Sequence, residues 1–355
     1  MSSHSGLPAS VGLDEQIGQM LIIGFRGCAE NELAAILHDI RTLHVGGVVL
    51  FDRDVPGNSW RRNIESPEQL ARLSRVLQNE AKFPLLIAVD QEGGRVARLS
   101  PRNGFPSFPS HQQLGEENQL AFTHKTASDL AALLAQAGIN WNFAPCVDIH
   151  VPQNPVIGSR GRSFTHDPAL IAAHAGEFIT AHQRMGVLCA VKHFPGHGSS
   201  RDDSHLGMVD VTDCWQAEEL LPFRFLIERH LVDAVMSAHV MNHHWDSYAP
   251  ATLSAHVISG ILRRDLDFAG VAITDDLQMG AIVQHFGFEV IIEKAITAGN
   301  DLLLFGNNGG QYEPDIASRA IETIRKLVTT GRITGERIHQ SFERIQKMKQ
   351  KWLKR

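Results

Sequence analysis

The chain has 355 residues, 43% hydrophobic and 20% charged, with a formal net charge of −6 and 19 histidines. That balance is a soluble enzyme's, and an acidic chain with no basic run to neutralise phosphates argues against a nucleic-acid partner. Met1–Gly12 lacks a basic start followed by an apolar core, no segment has the length to span a bilayer, and the four scattered cysteines form no CxxC pair; the expectation is a cytoplasmic monomer with no membrane contact and with free, buried thiols.

Eight short apolar runs alternate with stretches of helical periodicity. Gln19–Phe25 leads into a predicted helix over Glu30–Leu43, in which Leu33, Ile36 and Leu37 share a face. Gly47–Phe51 is followed by Pro67–Asn79, Leu85–Val89 by Phe122–Ala137, and Asn140–Ala144 by Pro168–Arg184. Val187–Lys192, Ala234–Ala238, Val271–Thr274 and Asp301–Phe305 precede Ala217–Glu228, Ala255–Arg264, Phe288–Ala298 and Ile316–Thr330 in turn. The runs are rich in Val, Ile and Leu, as strands covered on both faces are. Strand–helix alternation repeated eight times, with no Pro/Ser-rich linker, predicts an α/β fold: a single (β/α)8 TIM-type barrel over residues 1–355. Ile333–Arg355 reads as one more amphipathic helix whose Lys/Arg face is solvated.

A barrel of this kind carries its chemistry at the carboxyl ends of its strands. Asp90 follows strand three, Asp148 strand four and His239 strand six; Lys192 and His193 end strand five, and Asp275 ends strand seven. After strand three, Asp90–Arg98 combines a carboxylate and a guanidinium that can grip hydroxyls; Glu92 with Arg95 is the ion pair expected to tie that loop. Asn154–Phe164, after strand four, is a glycine-broken loop with Arg160 and Arg162, either of which can meet a polyhydroxyl substrate or staple the loop to Asp148. Lys192–His205 gathers a lysine, three histidines and two aspartates in fourteen residues. Within it, an extended Asp203-Ser204-His205 directs both outer side chains one way, so the carboxylate can orient the imidazole and raise its basicity. A carboxylate at Asp275 can act as a nucleophile on a sugar carbon, while Asp276 is suited to capping the next helix.

His193, His197, Asp203 and His205 are also ligand types for Zn²⁺. Against a metal-dependent barrel hydrolase stand the absence of HxH or HExxH spacing and the cation Lys192 beside the cluster. A sugar-binding barrel without catalysis is the rival of another class, but a binder has no use for a nucleophile and a proton shuttle.

Taken together, Asp90–Arg98 (DQEGGRVAR), Asn142–Asp148 (NFAPCVD), Asn154–Phe164, Lys192–His205 (KHFPGHGSSRDDSH), Met236–His239 and Thr274–Met279 (TDDLQM) resemble, in order, the β-N-acetylhexosaminidases of glycoside hydrolase family 3. The resemblance runs from about Leu13 to Asn308. It implies Asp275 as nucleophile, His205 as general acid/base with Asp203 as dyad partner, and Asp90, Arg98, Arg162, Lys192 and His193 as the residues that hold the sugar. It implies no metal or organic cofactor, and a carbohydrate substrate ending in N-acetylglucosamine. Members commonly read Ile-Gly-x-Arg-Ser-Phe, whereas Ile157–Phe164 is two residues longer; Arg162 is chosen because it directly precedes Ser163-Phe164. The related β-glucosidases add a second α/β domain that carries a glutamate acid. With the chain ending soon after strand eight, the acid is expected from the barrel itself.

Overall fold

The computed structural model describes residues 11–203 and 207–353. The eight apolar runs form eight parallel strands: β1 (Leu21–Gly24), β2 (Gly47–Leu50), β3 (Leu86–Val89), β4 (Trp141–Asn142), β5 (Leu188–Phe194), β6 (Ala234–Ser237), β7 (Val271–Thr274) and β8 (Leu303–Phe305). They hydrogen-bond in the order β7-β6-β5-β4-β3-β2-β1-β8. An isolated parallel bridge from Ile273 to Leu302 joins the two ends, so the sheet closes into the expected (β/α)8 barrel.

The helices that cover this barrel are α1 (Ala34–Thr42), α2 (Pro67–Asn79), α3 (Leu120–Gln136), α4 (Pro168–Arg184), α5 (Leu221–Glu228), α6 (His256–Asp265, wound as a π-helix), α7 (Phe288–Ala298), α8 (Ile316–Thr329) and α9 (Gly335–Leu353). The first eight follow β1 to β8 in turn. The bounds of α2 and α4 are those read from sequence, and their caps explain why. Ser66 Oγ accepts from Gln69 N with Pro67 at the first helical position; Asp167 Oδ1 accepts from Ala169 N with Pro168 in the same place. The helix expected over Glu30–Leu43 divides at Leu33, because the Glu32 carboxylate folds back to accept from the backbone N–H groups of Cys28 and Ala29. A further short helix, His111–Glu117, has the capping signal Ser110-x-x-Gln113, which the hydrophobic pattern did not flag.

The strand expected over Asn140–Ala144 keeps only Trp141 and Asn142 in regular pairing. Two asparagine side chains take over the cross-strand bonding to β3. Asn140 Oδ1 accepts from Ile87 N and its Nδ2 donates to Leu85 O, both at 2.8 Å; Asn142 does the same with Gln91 N (3.0 Å) and Gln91 O (2.9 Å). An amide reproduces the donor–acceptor pair of a peptide group, so the barrel wall stays hydrogen-bonded where the backbone departs from it.

The expectation of a solvated basic face on α9 needs correction. Lys349 is 1% exposed and donates to Gln19 Oε1 (2.7 Å) and Gly46 O (2.8 Å). Arg337 donates to Asn300 O at 2.6 Å, and Arg344 reaches Asp301 Oδ1 at 3.1 Å. Carbonyls at the amino-terminal rim of the barrel need donors, and α9 supplies them. All four cysteines are free, Cys28, Cys146 and Cys189 buried and Cys214 half-buried. No helix among the described residues is long and apolar enough to cross a membrane.

Lys349 makes the stability of this packing depend on pH. Burial without a carboxylate pulls its ammonium down to about 7, whereas the unfolded side chain holds its proton to about pH 10. Between those values the unfolded state binds more protons, so stability rises with pH across the window. In urea titrations Lys349→Met should be more stable than wild type by about 2 kcal/mol near pH 6, and the difference should close towards pH 10. A difference that stays constant over that range would mean Lys349 remains charged inside the fold.

Candidate active site

The carboxyl ends of β3, β4 and β5 bring together side chains that lie as much as a hundred residues apart in sequence. Val89 pairs with Asn142, and Asn142 with Cys189, so the three strands are in register where β3 and β4 end, and β5 runs on to Phe194. Beyond them, Cys146 bridges to Lys192 and Val147 N donates to Lys192 O at 2.8 Å, which places Asp148 beside His193.

Cations and carboxylates alternate along this rim. Arg98 lies 3.6 Å from Asp90; Lys192 Nζ donates to Asp90 Oδ1 at 2.7 Å and approaches Glu92 Oε1 at 2.9 Å. Glu92 accepts from Arg162 through both its oxygens, Nη2–Oε1 at 2.8 Å and Nε–Oε2 at 2.9 Å. Arg162 Nη2 reaches His193 Nε2 at 3.1 Å, and His193 Nδ1 meets Asp148 Oδ2 at 2.6 Å. Asp148 also accepts from the backbone N–H groups of His193 and His197. With a guanidinium on one ring nitrogen and a carboxylate on the other, the bonding assigns the His193 proton to Nδ1 and leaves Nε2 as acceptor.

Each charge survives burial because its neighbours are opposite. Burial is the largest influence on Asp90, Glu92 and Asp148 and raises all three carboxyls. Lys192 and Arg98 more than reverse it for Asp90, and Arg162 and Lys192 hold Glu92 well below the ordinary range. The hydrogen bond from His193 Nδ1 and the one from His197 N bring Asp148 down to about 2. Burial lowers the Lys192 ammonium, but Asp90 and Glu92 turn the balance upward, so it stays protonated. The result is a wall of fixed donors and acceptors facing the mouth, able to order the hydroxyls of a bound sugar.

All five residues expected to hold the sugar therefore belong to one connected network. Two further members, Glu92 and Asp148, were not singled out for that role. Glu92 pairs with Arg162 and Lys192 rather than with the expected Arg95, whose Nη1 points to Ser159 O at 3.4 Å. Asp148 is tied to His193, not to an arginine of the Asn154–Phe164 loop. The two arginines of that loop diverge about Gly161, whose φ of 70° reverses the chain between them. Arg162 turns inward; Arg160 lies 3.6 Å from Asp203. His205 lies outside the described residues.

At the end of β7, Asp275 is half-buried. Its backbone N–H donates to Ser237 O at 3.1 Å, and its Oδ1 accepts from Asp276 N at 2.8 Å. Asp276, expected as a helix cap, instead accepts from Gln278 N and from Gly306 N beyond β8, each at 3.0 Å. His239 Nε2 meets Asp276 O at 2.9 Å. The turn carrying Asp275 is thereby fastened to the ends of both neighbouring strands.

The donors of the metal reading that lie among the described residues have other partners. His193 is engaged at both nitrogens, His197 Nδ1 meets Ser200 Oγ at 2.7 Å, and Asp203 faces Arg160. Among the described residues Cys146, Asp148 and His193 have ligand atoms within 4.8 Å of one another. Burial, then the charge of Asp148, pushes the Cys146 thiol well above its usual value, and Arg162 stands against the same imidazole. A thiol that resists ionisation beside a fixed cation is a poor fit to a divalent ion.

Glu92 joins both halves of the network. Glu92→Gln should lower unfolding free energy by about 3 kcal/mol in urea titrations, because it leaves Arg162 and Lys192 sharing no carboxylate between them. A variant within about 0.5 kcal/mol of wild type would show that these cations do not depend on it.

Residues 12–348 match the model of the glycosyl hydrolase family 3 N-terminal domain. A β-hexosaminidase from Tolumonas auensis is 37% identical over 81% of this chain and 83% of its own length. β-Hexosaminidase A from Pseudoalteromonas piscicida is 31% identical over 95% of this chain but 61% of its own. Among solved structures, a family 3 β-N-acetylglucosaminidase from a Paenibacillus species superposes with a TM-score of 0.87 at 36% identity, covering 97% of this chain and 63% of that one. A β-N-acetylhexosaminidase from Beutenbergia cavernae gives 0.82 at 26%, covering 95% and 98%. The chain thus spans less than two thirds of the Pseudoalteromonas and Paenibacillus proteins and most of the other two. A closed (β/α)8 barrel and a family match over nearly its whole length lead to one assignment: the chain belongs to glycosyl hydrolase family 3.

Proposed function

We propose that the protein is a retaining exo-β-N-acetylglucosaminidase, releasing terminal β-linked N-acetylglucosamine from a glycan such as a muropeptide or a chitin oligomer. The observation that carries this reading is the rim network from Arg98 to Asp148, which presents fixed hydrogen-bonding groups two to four strands away from the half-buried Asp275. Relatives named β-hexosaminidase and β-N-acetylglucosaminidase support the choice of sugar.

In this mechanism Asp90, Arg98, Lys192, Arg162 and His193 hold the hydroxyls of the terminal sugar, and Glu92 and Asp148 keep the cations and the imidazole in place. Asp275 attacks the anomeric carbon while His205, oriented by Asp203, gives a proton to the departing oxygen. The same imidazole then takes a proton from water as it displaces Asp275. Most glycosidases use two carboxylates; a histidine acid suits a reaction near neutrality, where its ordinary pKa lies. Action as a monomer in the cytoplasm belongs to the same reading. The alternatives are a β-glucosidase of the same family and a metal-dependent hydrolase. The first requires faster cleavage of an aryl β-glucoside than of the aryl β-N-acetylglucosaminide, and the second requires activity lost to EDTA.

Asp275→Ala should lower kcat by about a thousandfold or more, since the covalent route disappears. A 5-fluoro glycosyl trap on the wild-type enzyme should label a peptide containing Asp275. Label on another residue, or a first product of inverted configuration, would overturn the assignment.

A further inference from the structure

The segment after β5 is held chiefly by side chains to which the proposed mechanism gives no part, Glu219, Trp215 and Asn154. Glu219 belongs to the helical turn Ala217–Leu220 that leads into α5, and it is 2% exposed. Its Oε2 accepts from Gly198 N (2.9 Å) and Ser199 N (3.4 Å), and its Oε1 takes the Ser199 hydroxyl. Four residues earlier, Trp215 Nε1 donates to Pro195 O at 3.2 Å. Gly196, with φ of 122°, lies directly against the carboxylate; a Cβ there would meet Glu219 Cβ at 2.5 Å and Oε2 at 2.8 Å. From the other side Asn154 Nδ2 donates to His197 O (2.7 Å), Gly198 O (3.0 Å) and Ser200 Oγ (2.9 Å), while Asp148 Oδ1 accepts from His197 N at 2.8 Å.

Among the described residues no Lys or Arg makes an ion pair with Glu219. Burial raises its carboxyl to about 7 although Ser199 donates to it, and the like charge of Asp148 adds to the rise. A purely space-filling position would not favour a buried carboxylate without a counter-ion. The group is matched instead to three donors of one turn, and that turn feeds the chain towards Asp203 within four residues.

We propose that Glu219 is a positioning residue for catalysis: through Gly198 and Ser199 it fixes the path along which the chain leaves β5 towards Asp203, the carboxylate of the proposed proton-transfer dyad. The catalytic part rests on the proposed roles of Asp203 and His205; the structural part does not. No contact of Glu219 with the sugar-holding side chains is involved, so binding of the sugar itself should be spared.

The test uses the full chain with Glu219→Gln, and Ser199→Ala as a milder break of the same contact. Amide hydrogen exchange across residues 196–203 should quicken by about tenfold in Glu219→Gln and less in Ser199→Ala, with peptides of β5 unchanged. Loss of kcat should be about tenfold greater for an aryl N-acetylglucosaminide with a poor leaving group than for a nitrophenyl one, with KM and inhibition by N-acetylglucosamine within about twofold. Unchanged exchange in the variants overturns the proposal, as does an equal loss on both substrates. Should Glu219→Gln fail to fold, Ser199→Ala decides by the same two readings. A wild-type protein without N-acetylglucosaminidase activity would instead remove the proposed function, while the exchange measurement still judges the anchor.

Discussion

Cations and carboxylates cannot be packed side by side, buried or half-buried, unless each is satisfied by its neighbours, since removing an ion from water costs several kcal/mol and one unmatched partner leaves that cost standing. The order Arg98, Asp90, Lys192, Glu92, Arg162, His193, Asp148 meets this constraint by alternating charge as far as Arg162 and closing on an imidazole that donates to Asp148. Alternation in turn depends on strand level. A slip of one residue between parallel strands would exchange inward and outward side chains and break every pair. That gives the amides of Asn140 and Asn142 their importance: they lock β4 to β3 where regular pairing stops, directly beneath Asp90 and Gln91. The site is therefore a consequence of barrel register as much as of the residues it contains.

Sequence revealed the barrel because its strands are short Val/Ile/Leu runs buried on both faces, a pattern that survives without knowledge of contacts. It located the site at strand ends for the same reason. What it did not reveal were partners. Glu92 lies three residues from Arg95, and local proximity suggested a pair; the fold supplies Arg162, seventy positions away, with a second contact from Lys192. Lys349 was read as solvated because its helix is rich in cations, yet the amino-terminal rim needs donors and draws it in. In both cases a long-range acceptor outweighed a local expectation, and long-range acceptors leave no periodic trace.

Motif resemblance contributed differently. It selected Asp90, Arg98, Arg162, Lys192 and His193 from many polar residues, and the structure joins these five through hydrogen bonds and ion pairs. The resemblance gives Glu92 and Asp148 no part in holding the sugar, although Asp148 follows a strand end and Glu92 lies in the matching segment. Their task is to orient the five that it selects, which a sequence can suggest only through spacing.

Arg160 and Arg162 show how one loop can serve two ends of the chemistry. The loop is two residues longer than the usual Ile-Gly-x-Arg-Ser-Phe, and Gly161 turns it so that its guanidiniums point apart. Arg162, 11% exposed, closes the ion network at His193; Arg160, 46% exposed and braced by Pro155 O, faces Asp203. An exposed pair at 3.6 Å is weak in energy, but it links the β4 loop to the β5 loop beyond the turn that Glu219 and Asn154 grip. The β5 loop is thus buried and heavily hydrogen-bonded at its base, from Gly196 to Ser200. For the acid/base proposed on this loop such a base matters: it fixes the approach from the barrel side, and an aglycone and then water must reach the group from the other.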